Sequence, residues 1–295
     1  MTSPAPLSVI VCSHNRAADL RRCLDALSGL EDPVEVIVVD SASEPPCREI
    51  VDGYAPLIER LRYIREDAPG LSRARNRGLV EASADLIAFL DDDAAPHPDW
   101  ARRIAEPFSD VTIGCAGGAC LATFPECDRP RWLSDRLLQF AGITRFDRQR
   151  EARSRAEWPF GANIAFRRAA LAQAGGFPEA LGRIGSQLLS GEESAVVEAV
   201  KAAGWRILLV PDAVVDHAVP ATRCQSRYYW RRLWWAGVTR ARHRGRHAGT
   251  LAKLLAAAPV RLLLYAVTWD RVHLYRLAET AGYLHDTISA RPVAR

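Results

Sequence analysis

Short apolar runs, separated by polar loops and helical patterns, recur along the first two thirds of the chain. Runs of about five or six residues are too short for a buried helix and predict strands that are buried on both faces. Apolar residues with helical spacing lie between them, as in Leu20, Cys23, Leu24 and Leu27. Strands that alternate with helices imply right-handed crossovers, so the sequence predicts an α/β fold with a mostly parallel sheet. The predicted strands are Leu7 to Cys12, Val34 to Val39, Leu61 to Ile64, Leu86 to Leu90, Ile113 to Cys120, Phe160 to Arg167, Ile207 to Val210 and Ala213 to His217.

Polar side chains follow the first, second and fourth predicted strands. Parallel strands end at one edge of a sheet, and ligands of open α/β sheets bind in the crevice outside that edge. Hydroxyl, amide, guanidinium and carboxylate groups together suit a nucleotide, with acids for ribose hydroxyls and arginine for phosphates. Neither a GxGxxG after the first strand nor a GxxxxGK[ST] occurs, which argues against a Rossmann site and a P-loop. The residues expected at this edge are Ser13, Asn15, Arg16, Asp40, Asp91, Asp92 and Asp93.

The three adjacent carboxylates of Asp91, Asp92 and Asp93 form an unusual feature of this edge. They repel one another unless a cation or hydrogen-bond donors neutralise them. A hard divalent metal that bridges to a phosphate does so with one or two carboxylates. The alternative is a solvated acidic turn before the helix that follows Pro98. In both cases we expect carboxylates at the surface edge, which contribute little to stability.

Length and composition fit one large domain, or one domain with an appendage. The chain has 295 residues, of which 48% are hydrophobic and 25% charged. Met1 to Pro6 lacks the basic and apolar segments of a signal peptide, so export is not expected. Seven scattered cysteines without a CxxC pair argue against a zinc ribbon and suit a reducing cytosol.

An ordered set of motifs resembles the successive signatures of the family 2 glycosyltransferases. The resemblance covers about residues 7 to 217, and the pieces follow one another in the order that the family shows. The motifs are Val11-Cys12-Ser13-His14-Asn15-Arg16, Val38-Val39-Asp40-Ser41, Ser72-Arg73-Ala74-Arg75-Asn76-Arg77-Gly78, Phe89-Leu90-Asp91-Asp92-Asp93, Gly161-Ala162-Asn163, Gly175-Gly176-Phe177, Gly191-Glu192-Glu193 and Pro211 to His217.

This resemblance implies a GT-A fold, a nucleotide diphosphate sugar donor and inversion at the anomeric carbon. It implies a catalytic domain over residues 1–221, with a nucleotide-sugar half over about 7–120 and an acceptor half over about 121–221. Residues 222–295 then form a helical, basic and aromatic extension. Arg75 joins the predicted nucleotide-sugar site, although a solvated arginine face is the alternative reading of its helix.

The resemblance also implies a metal and a base. Asp91, Asp93 and His217 are the predicted ligands of Mn2+ or Mg2+, and an imidazole favours Mn2+. Asp92 would point away from the ion or toward the ribose. Glu193 is the predicted general base for the acceptor hydroxyl, with Glu192 in reserve.

Two positions depart from the family pattern. Ser41 stands where an Asn or Asp is usual, and Glu192-Glu193 stands where Glu-Asp is usual. Glu193 thus keeps the carboxylate of the usual Asp, on a side chain that is longer by one methylene. Because carboxylates are favoured at helix N-termini, the glutamate pair could instead be a structural cap.

Two other functional classes compete with glycosyl transfer. A nucleotidyltransferase would attack phosphorus and would not need a base on the acceptor side. It typically carries a glycine- and lysine-rich loop after the first strand, where this chain has Ser13-His14-Asn15-Arg16. An inactive carbohydrate-binding scaffold of the same fold is disfavoured by the intact carboxylates.

The extension carries a local excess of positive charge. No Asp or Glu occurs between His217 and Asp270, whereas ten basic residues do. Leu251 to Trp269 is apolar but contains Lys253, Pro259 and Arg261, and is too interrupted for a typical spanning helix. We therefore expect a peripheral protein of the cytoplasmic face, with an anionic membrane surface, a saccharide or lipid-linked acceptor and no nucleic acid as partners. The alternative is that Trp230, Leu233 and Trp234 pack on the protein. The ten basic residues between His217 and Asp270 are Arg223, Arg227, Arg231, Arg232, Arg240, Arg242, Arg244, Arg246, Lys253 and Arg261.

Overall fold

A computed structural model describes residues 7–183 and 187–289 of the chain. The predictions made on Met1 to Pro6 and on the last residues of the extension lie outside this part. Contacts between Cα atoms divide the chain into two compact units. The first comprises the described residues of Met1–Thr123, Gly142–Ala180 and Glu192–Ala218, and the second those of Phe124–Ala141, Leu181–Gly191 and Val219–Arg295.

Nine strands of the first unit form one mixed sheet. The apolar runs of the sequence correspond to the long strands, and the structure adds two short ones that the sequence did not indicate, β5 and β7. The strands are β1 (Ser8–Ser13), β2 (Glu35–Ser41), β3 (Leu61–Glu66), β4 (Leu86–Asp91), β5 (Ala94–Pro96), β6 (Ile113–Thr123), β7 (Arg150–Glu151), β8 (Asn163–Arg167) and β9 (Arg206–Ala218).

The helices follow the helical patterns of the sequence. The predicted helix at Glu192 begins at that residue, and a short α-helix after Ser134 continues as a 3-10 helix. The helices are α1 (Ala17–Ser28), α2 (Arg48–Tyr54), α3 (Leu71–Glu81), α4 (Trp100–Ala105), α5 (Asp135–Leu138), α6 (Arg168–Ala174), α7 (Glu192–Ala202), α8 (Ser226–Arg244), α9 (Ala248–Thr268) and α10 (Arg271–Ser289).

The sheet has the order β3-β2-β1-β4-β8-β6-β9-β5, and β7 pairs with β9. Strands β3, β2, β1 and β4 are parallel, as predicted, whereas β8 runs antiparallel between β4 and β6. The carboxyl ends of β1, β2 and β4 therefore share one edge, where the polar loops were expected.

The predicted pair of strands after Trp205 is wrong: residues 206–218 form the single strand β9. Pro211 and Asp212 interrupt the apolar run and indicated a break. In the structure the register of β9 against β6 shifts between Gly118 and Ala119, which absorbs the interruption without ending the strand. Such irregularities bend a strand and redirect its side chains.

The core of the first unit lies on both faces of this sheet. Successive residues of β1 alternate between the faces, so Val9 and Val11 contribute to one cluster and Ile10 to the other. The apolar stripe of α1 packs into the first cluster. This explains why the strands read as uninterrupted apolar runs.

Asn163 ties three strands together behind the predicted site. Its side-chain amide donates to the carbonyl oxygens of Ala119 and Ala213, at 2.9 and 2.8 Å, and accepts from the indole of Trp100 at 2.9 Å. Gly118 permits this approach, because a Cβ there would lie 2.3 Å from the Asn163 Nδ2 atom. The asparagine of the Gly161-Ala162-Asn163 motif is thus a structural cross-link that is fully buried.

In the second unit, α8 and α10 pack closely enough for their backbones to touch. A Cβ at Gly237 of α8 would lie 2.0 Å from the carbonyl oxygen of Glu279, and a Cβ at Gly282 of α10 would lie 1.9 Å from that of Trp234. Leu233 is buried, whereas Trp230 remains partly exposed. The alternative considered above, that Trp230, Leu233 and Trp234 pack on the protein, therefore holds for Leu233 but only partly for Trp230.

Acids of α10 oppose part of the basic excess, which corrects the view that it is unopposed. Arg240 forms an ion pair with Glu279 at 2.6 Å, and both Arg242 and Arg246 pair with Asp286. These acids lie beyond Asp270 in the sequence, so a search of the basic segment alone could not find them. Only the folded chain brings them opposite the arginines.

The loop residue Trp132 packs within the second unit. Its ring lies edge-on to Tyr229 and Tyr275, with centroid distances of 5.7 and 6.3 Å. The guanidinium of Arg271 lies over its ring at 5.2 Å. This aromatic cluster joins the loop to α8 and α10.

The contact between α8 and α10 makes Gly282 intolerant of a side chain. We expect Gly282→Ala to lower the free energy of unfolding by about 1 to 3 kcal/mol, because the backbone carbonyl of Trp234 cannot turn aside. Gly249→Ala in α9 is the matched control, since its Cβ would meet nothing within 4 Å. Chemical denaturation of both variants measures the difference, and equal stabilities would contradict the close packing.

Candidate active site

The end of β4 and the end of β9 bring three potential metal ligands together. Asp91 ends β4, and the short strand β5 then pairs with β9 so that Ala94 lies opposite His217. This pairing places the His217 Nε2 atom 3.2 Å from the Asp93 Oδ1 atom. Among the described residues, Asp91, Asp93 and His217 form a group whose ligand atoms all lie within 4.8 Å of one another. The short strand β5, which sequence patterns missed, thus brings the cluster together.

The cluster is more buried than expected. Asp92 and Asp93 are buried and Asp91 is half-buried, so the expectation of carboxylates at the surface edge is wrong for two of the three. Arg16 compensates for their charge: its guanidinium donates to Asp92 and to Asp93, each at 2.8 Å. Removing Asp93 would therefore leave Arg16 with one partner fewer.

Asp92 is buried and both of its carboxylate oxygens accept hydrogen bonds, one of them from Arg16. Its second oxygen accepts from the hydroxyl of Ser13 at 2.8 Å. Burial and the neighbouring charge of Asp93 raise the pKa of Asp92 to about 7, against the opposing effect of Arg16. Asp92 is not part of the group that Asp91, Asp93 and His217 form, and its contact with a ribose stays a prediction.

The donor set fits a divalent cation of the Mn2+ or Mg2+ kind. The ligands are two carboxylates, which such cations prefer, and an imidazole, which favours Mn2+. The Nδ1 atom of His217 is buried and has no hydrogen-bond partner among residues 7–183 and 187–289. Gly142 lies against the same ring, where a Cβ would be 3.4 Å from Nε2. The imidazole thus faces Asp93 through Nε2, while its Nδ1 atom is left without a partner in the described part of the chain.

Arg75 links this cluster to the glutamate pair. One amino group of its guanidinium donates to Glu192 at 2.9 Å, and the other donates to Asp91 at 3.2 Å. The side chain is buried and lies over the ring of Phe177. Gly161 makes room for it, since a Cβ at that position would lie 2.3 Å from the Arg75 Nη2 atom. The solvated arginine face is wrong for Arg75.

Glu192 and Glu193 form a coupled pair at the start of α7. Burial, together with the charge of Glu193, raises the pKa of Glu192 to about 8, although Arg75 opposes the shift. The Oε2 atoms of both side chains are buried and find no hydrogen-bond donor in the described part of the chain. One shared proton would satisfy both oxygens, as in other pairs of close carboxylates. Glu192 is buried and Glu193 half-buried, so Glu193 is the more accessible of the two.

Asp40 organises the loop after β2. It accepts hydrogen bonds from the backbone of Ser43 and Cys47, and from the side chains of Tyr63 and Arg65. These hydrogen bonds outweigh burial and lower its pKa to about 2. Asp40 is fully buried, so its role as a nucleotide ligand stays a prediction while its structural role is plain.

The same loop positions Asn15. Its backbone amide donates to the Ser43 hydroxyl at 3.0 Å, and its side-chain oxygen accepts from the amide of Glu44 at 2.7 Å. Asn15 has a positive φ of 55° and is exposed. The predicted nucleotide residues thus lie together at one edge, but Ser13, Arg16, Asp40 and Asp92 all have partners within the protein.

Sequence patterns missed the partners that hold these residues. Tyr63 and Arg65 of β3 bind Asp40, and Asn76 binds the backbone of Phe177 through both atoms of its amide at 2.8 Å. No spacing rule pairs residues this far apart. Gly161 lies just before β8, and a glycine at such a position can indicate close packing. It does not indicate that Arg75 is the residue that packs there.

A mixed sheet with this edge is the GT-A fold of glycosyltransferases, and comparison with solved structures confirms that class. The mannosyltransferase PcManGT from Pyrobaculum calidifontis, solved with GDP-Man and Mn2+, superposes with a TM-score of 0.64. The superposition covers 97% of this chain and 88% of that one, at 23% sequence identity. At this identity the likeness shows the fold.

Residues 8–175 match the sequence model of the glycosyl transferase family 2. Because the match covers more than half of the 295 residues, the chain belongs to this family, as the motifs predicted. The nucleotidyltransferase alternative has no comparable support.

Two curated relatives come from Haloferax volcanii. The glycosyltransferase AglE is 34% identical over 130 residues, which are 42% of this chain and 43% of that protein. A glucosyl-dolichyl phosphate glucuronosyltransferase is 21% identical over 241 residues, which are 79% of this chain and 76% of that protein. The match to AglE thus spans less than half of its length.

The raised pKa of Glu192 makes the stability of the protein depend on pH. The unfolded chain releases this proton near pH 4.5 and the folded protein near pH 8, so the folded state binds more protons in between. Its contribution to stability is therefore present below about pH 4.5 and is lost as the pH rises toward 8. We expect Glu192→Gln, which lacks this titration, to gain in Tm relative to the unsubstituted protein from about pH 5 to about pH 9. Thermal unfolding with a chelator present measures this, and parallel profiles would contradict it.

Proposed function

We propose that the protein transfers a sugar from a nucleotide diphosphate sugar to an acceptor hydroxyl, with inversion. The observation that carries the proposal is the Arg75 bridge between Asp91 and Glu192. It links a cluster suited to a cation and a diphosphate with a carboxylate pair suited to proton transfer. Displacement with inversion needs both functions, because the leaving group departs on one face of the sugar and the acceptor attacks on the other.

Asp91, Asp93 and His217 would hold the divalent cation, Mn2+ or Mg2+. Bound there, the cation would offset the charge that develops on the departing nucleoside diphosphate. Arg16 orients Asp93 for this role through its 2.8 Å hydrogen bond. The nucleotide itself would be bound at the edge formed by Ser13, Asn15, Arg16, Asp40, Arg75, Asp91 and Asp92, where Asp40 fixes the loop and Asn15 is exposed toward the ligand side.

Glu193 would act as the general base. Burial and the charge of Glu193 raise the pKa of Glu192 to about 8, so Glu192 holds a proton at neutral pH and is the less suited of the two to accept one. Glu192 accepts a hydrogen bond from Arg75 and is buried, which suits it to position its neighbour. An ionised, more accessible carboxylate is the form that accepts a proton from an acceptor hydroxyl.

The acceptor would be a saccharide or a lipid-linked molecule, in the synthesis of a cell-surface polysaccharide or glycolipid. One relative is named for a dolichyl phosphate substrate, which is lipid-linked. We propose that the protein works as a peripheral protein at the cytoplasmic face of the membrane, with an anionic surface as partner. The excess of arginine in the second unit supports an anionic surface, although acids of α10 reduce it.

Asp93→Asn should abolish cation-dependent release of nucleoside diphosphate from the donor that the unsubstituted protein uses. The amide keeps the shape of the side chain but lacks the charge that a divalent cation requires. Release is measured across a panel of donors with Mn2+, with Mg2+ and with a chelator, and Mn2+ binding is measured by calorimetry. Asp216→Asn is the control, because Asp216 precedes His217 on β9 and its side chain points to the opposite face of the strand.

Two results would contradict this assignment. If the unsubstituted protein releases nucleoside diphosphate from none of the donors, glycosyl transfer itself is refuted. Unchanged Mn2+ binding by Asp93→Asn, with a normal far-UV spectrum, would refute the metal site alone.

Glu193→Gln should lower the transfer rate by about two to four orders of magnitude, the usual contribution of a general base. Donor affinity should stay unchanged, because the residue acts on the acceptor. Single-turnover transfer and calorimetric donor titration separate the two quantities. Glu198→Gln on the same helix is the control, and a matching loss of donor affinity in Glu193→Gln would make the pair a structural cap.

A further inference from the structure

The helix α9 exposes its apolar side and turns its polar side toward the protein. Its 21 residues contain two charged side chains, Lys253 and Arg261. By length and composition it could cross a membrane, so the expectation that Leu251 to Trp269 is too interrupted for this is wrong on those two counts. In the described structure the helix is hardly buried. The large exposed apolar side chains on it are Leu255, Val260, Leu262, Leu263, Leu264 and Val267.

The inward side of α9 is held by hydrogen bonds and a small core. Arg261 donates to the carbonyl oxygen of Arg276 and to the hydroxyl of Thr280 on α10, at 2.9 and 3.0 Å. Leu254 packs with Ala241 and Tyr283. The arginine that interrupts the apolar sequence is thus directed at α10 and is no part of the outward face. A surface helix of a globular protein has the reverse arrangement, with its apolar stripe inward.

An apolar face of this length requires a partner. Contiguous exposed apolar patches larger than a few hundred Å² mark interaction or membrane sites. Protein interfaces include about one hydrogen bond per 100 to 200 Å², but the outward face offers only the ammonium of Lys253 for that purpose. Acyl chains need no hydrogen bonds, so a lipid layer fits this face better than a protein surface does.

The ends of the helix and its surroundings also suit a membrane interface. Trp269, directly after α9, is 76% exposed, and its ring lies 6.0 Å from that of Tyr265. Tryptophan and tyrosine favour the level of the lipid headgroups. No acid occurs between His217 and Asp270, so no negative charge on this stretch opposes an anionic surface.

We propose that the outward face of α9 inserts into the acyl-chain region of an anionic membrane, with the helix axis parallel to the surface. A spanning orientation would draw the Arg261 contacts and Glu279 of α10 into hydrocarbon, which is costly for charged groups. The inference deepens the membrane location put forward above and is independent of the transfer activity. It identifies α9, in place of the arginine-rich α8, as the element that enters the lipid.

Leu263→Asp tests this assignment, with Leu57→Asp as a matched control. Both leucines are 64% exposed, and Leu57 lies outside α9, between α2 and β3. Co-sedimentation of the full chain with vesicles of phosphatidylcholine and phosphatidylglycerol measures binding. We expect Leu263→Asp to weaken binding at least about tenfold, since an ionised carboxylate opposes both insertion and the anionic surface. Leu57→Asp should bind as the unsubstituted protein does.

A salt series separates insertion from charge attraction. In about 0.5 M NaCl the unsubstituted protein should retain part of its vesicle binding, because salt screens charges and leaves apolar insertion intact. Complete loss of binding at high salt, or equal binding of Leu263→Asp and the unsubstituted protein, would overturn the proposal. A dimer in solution that Leu263→Asp dissociates, with vesicle binding unchanged, would assign the face to a second copy. Circular dichroism confirms folding, and donor turnover without vesicles tests the proposed function separately.

Discussion

The charge balance at the carboxyl edge of the sheet constrains the whole site. Five acids, Asp91, Asp92, Asp93, Glu192 and Glu193, lie there, and three of them are buried. Buried carboxylates without compensation would protonate or force the fold open. Two arginines supply the compensation: Arg16 binds Asp92 and Asp93, and Arg75 binds Asp91 and Glu192. The remaining deficit of positive charge is what a cation can supply.

This arrangement gives the two neighbouring carboxylate groups different properties. Asp92 is directed inward to Ser13 and Arg16, which leaves Asp91 and Asp93 to face His217. In the glutamate pair, burial raises the pKa of Glu192 to about 8, whereas Glu193 is the more accessible side chain. Groups of one chemical type thus acquire different surroundings through burial and hydrogen bonding.

The sequence predicted those features that depend on local patterns. Buried strands leave continuous apolar runs, so β1, β2 and β4 and the edge at their ends were predicted, and so was the start of α7. The partners of the site residues were not predictable, because Arg16 and Asp92 are 76 positions apart and Arg75 and Glu192 are 117 apart. The β9 strand was misjudged at Pro211, since only the register shift against β6 shows how the interruption is accommodated. The acids that pair with the basic extension lay outside the segment where its charge was counted.

The space that a side chain of residue 161 would occupy is filled by the Arg75 guanidinium. Gly161 carries no functional group, yet the missing Cβ is what allows the Arg75 guanidinium to reach both acids. Even an alanine there would displace the guanidinium that joins the two halves of the site. A scan that ranks positions by side-chain chemistry would overlook Gly161, although the geometry of the site depends on the absence of a side chain there.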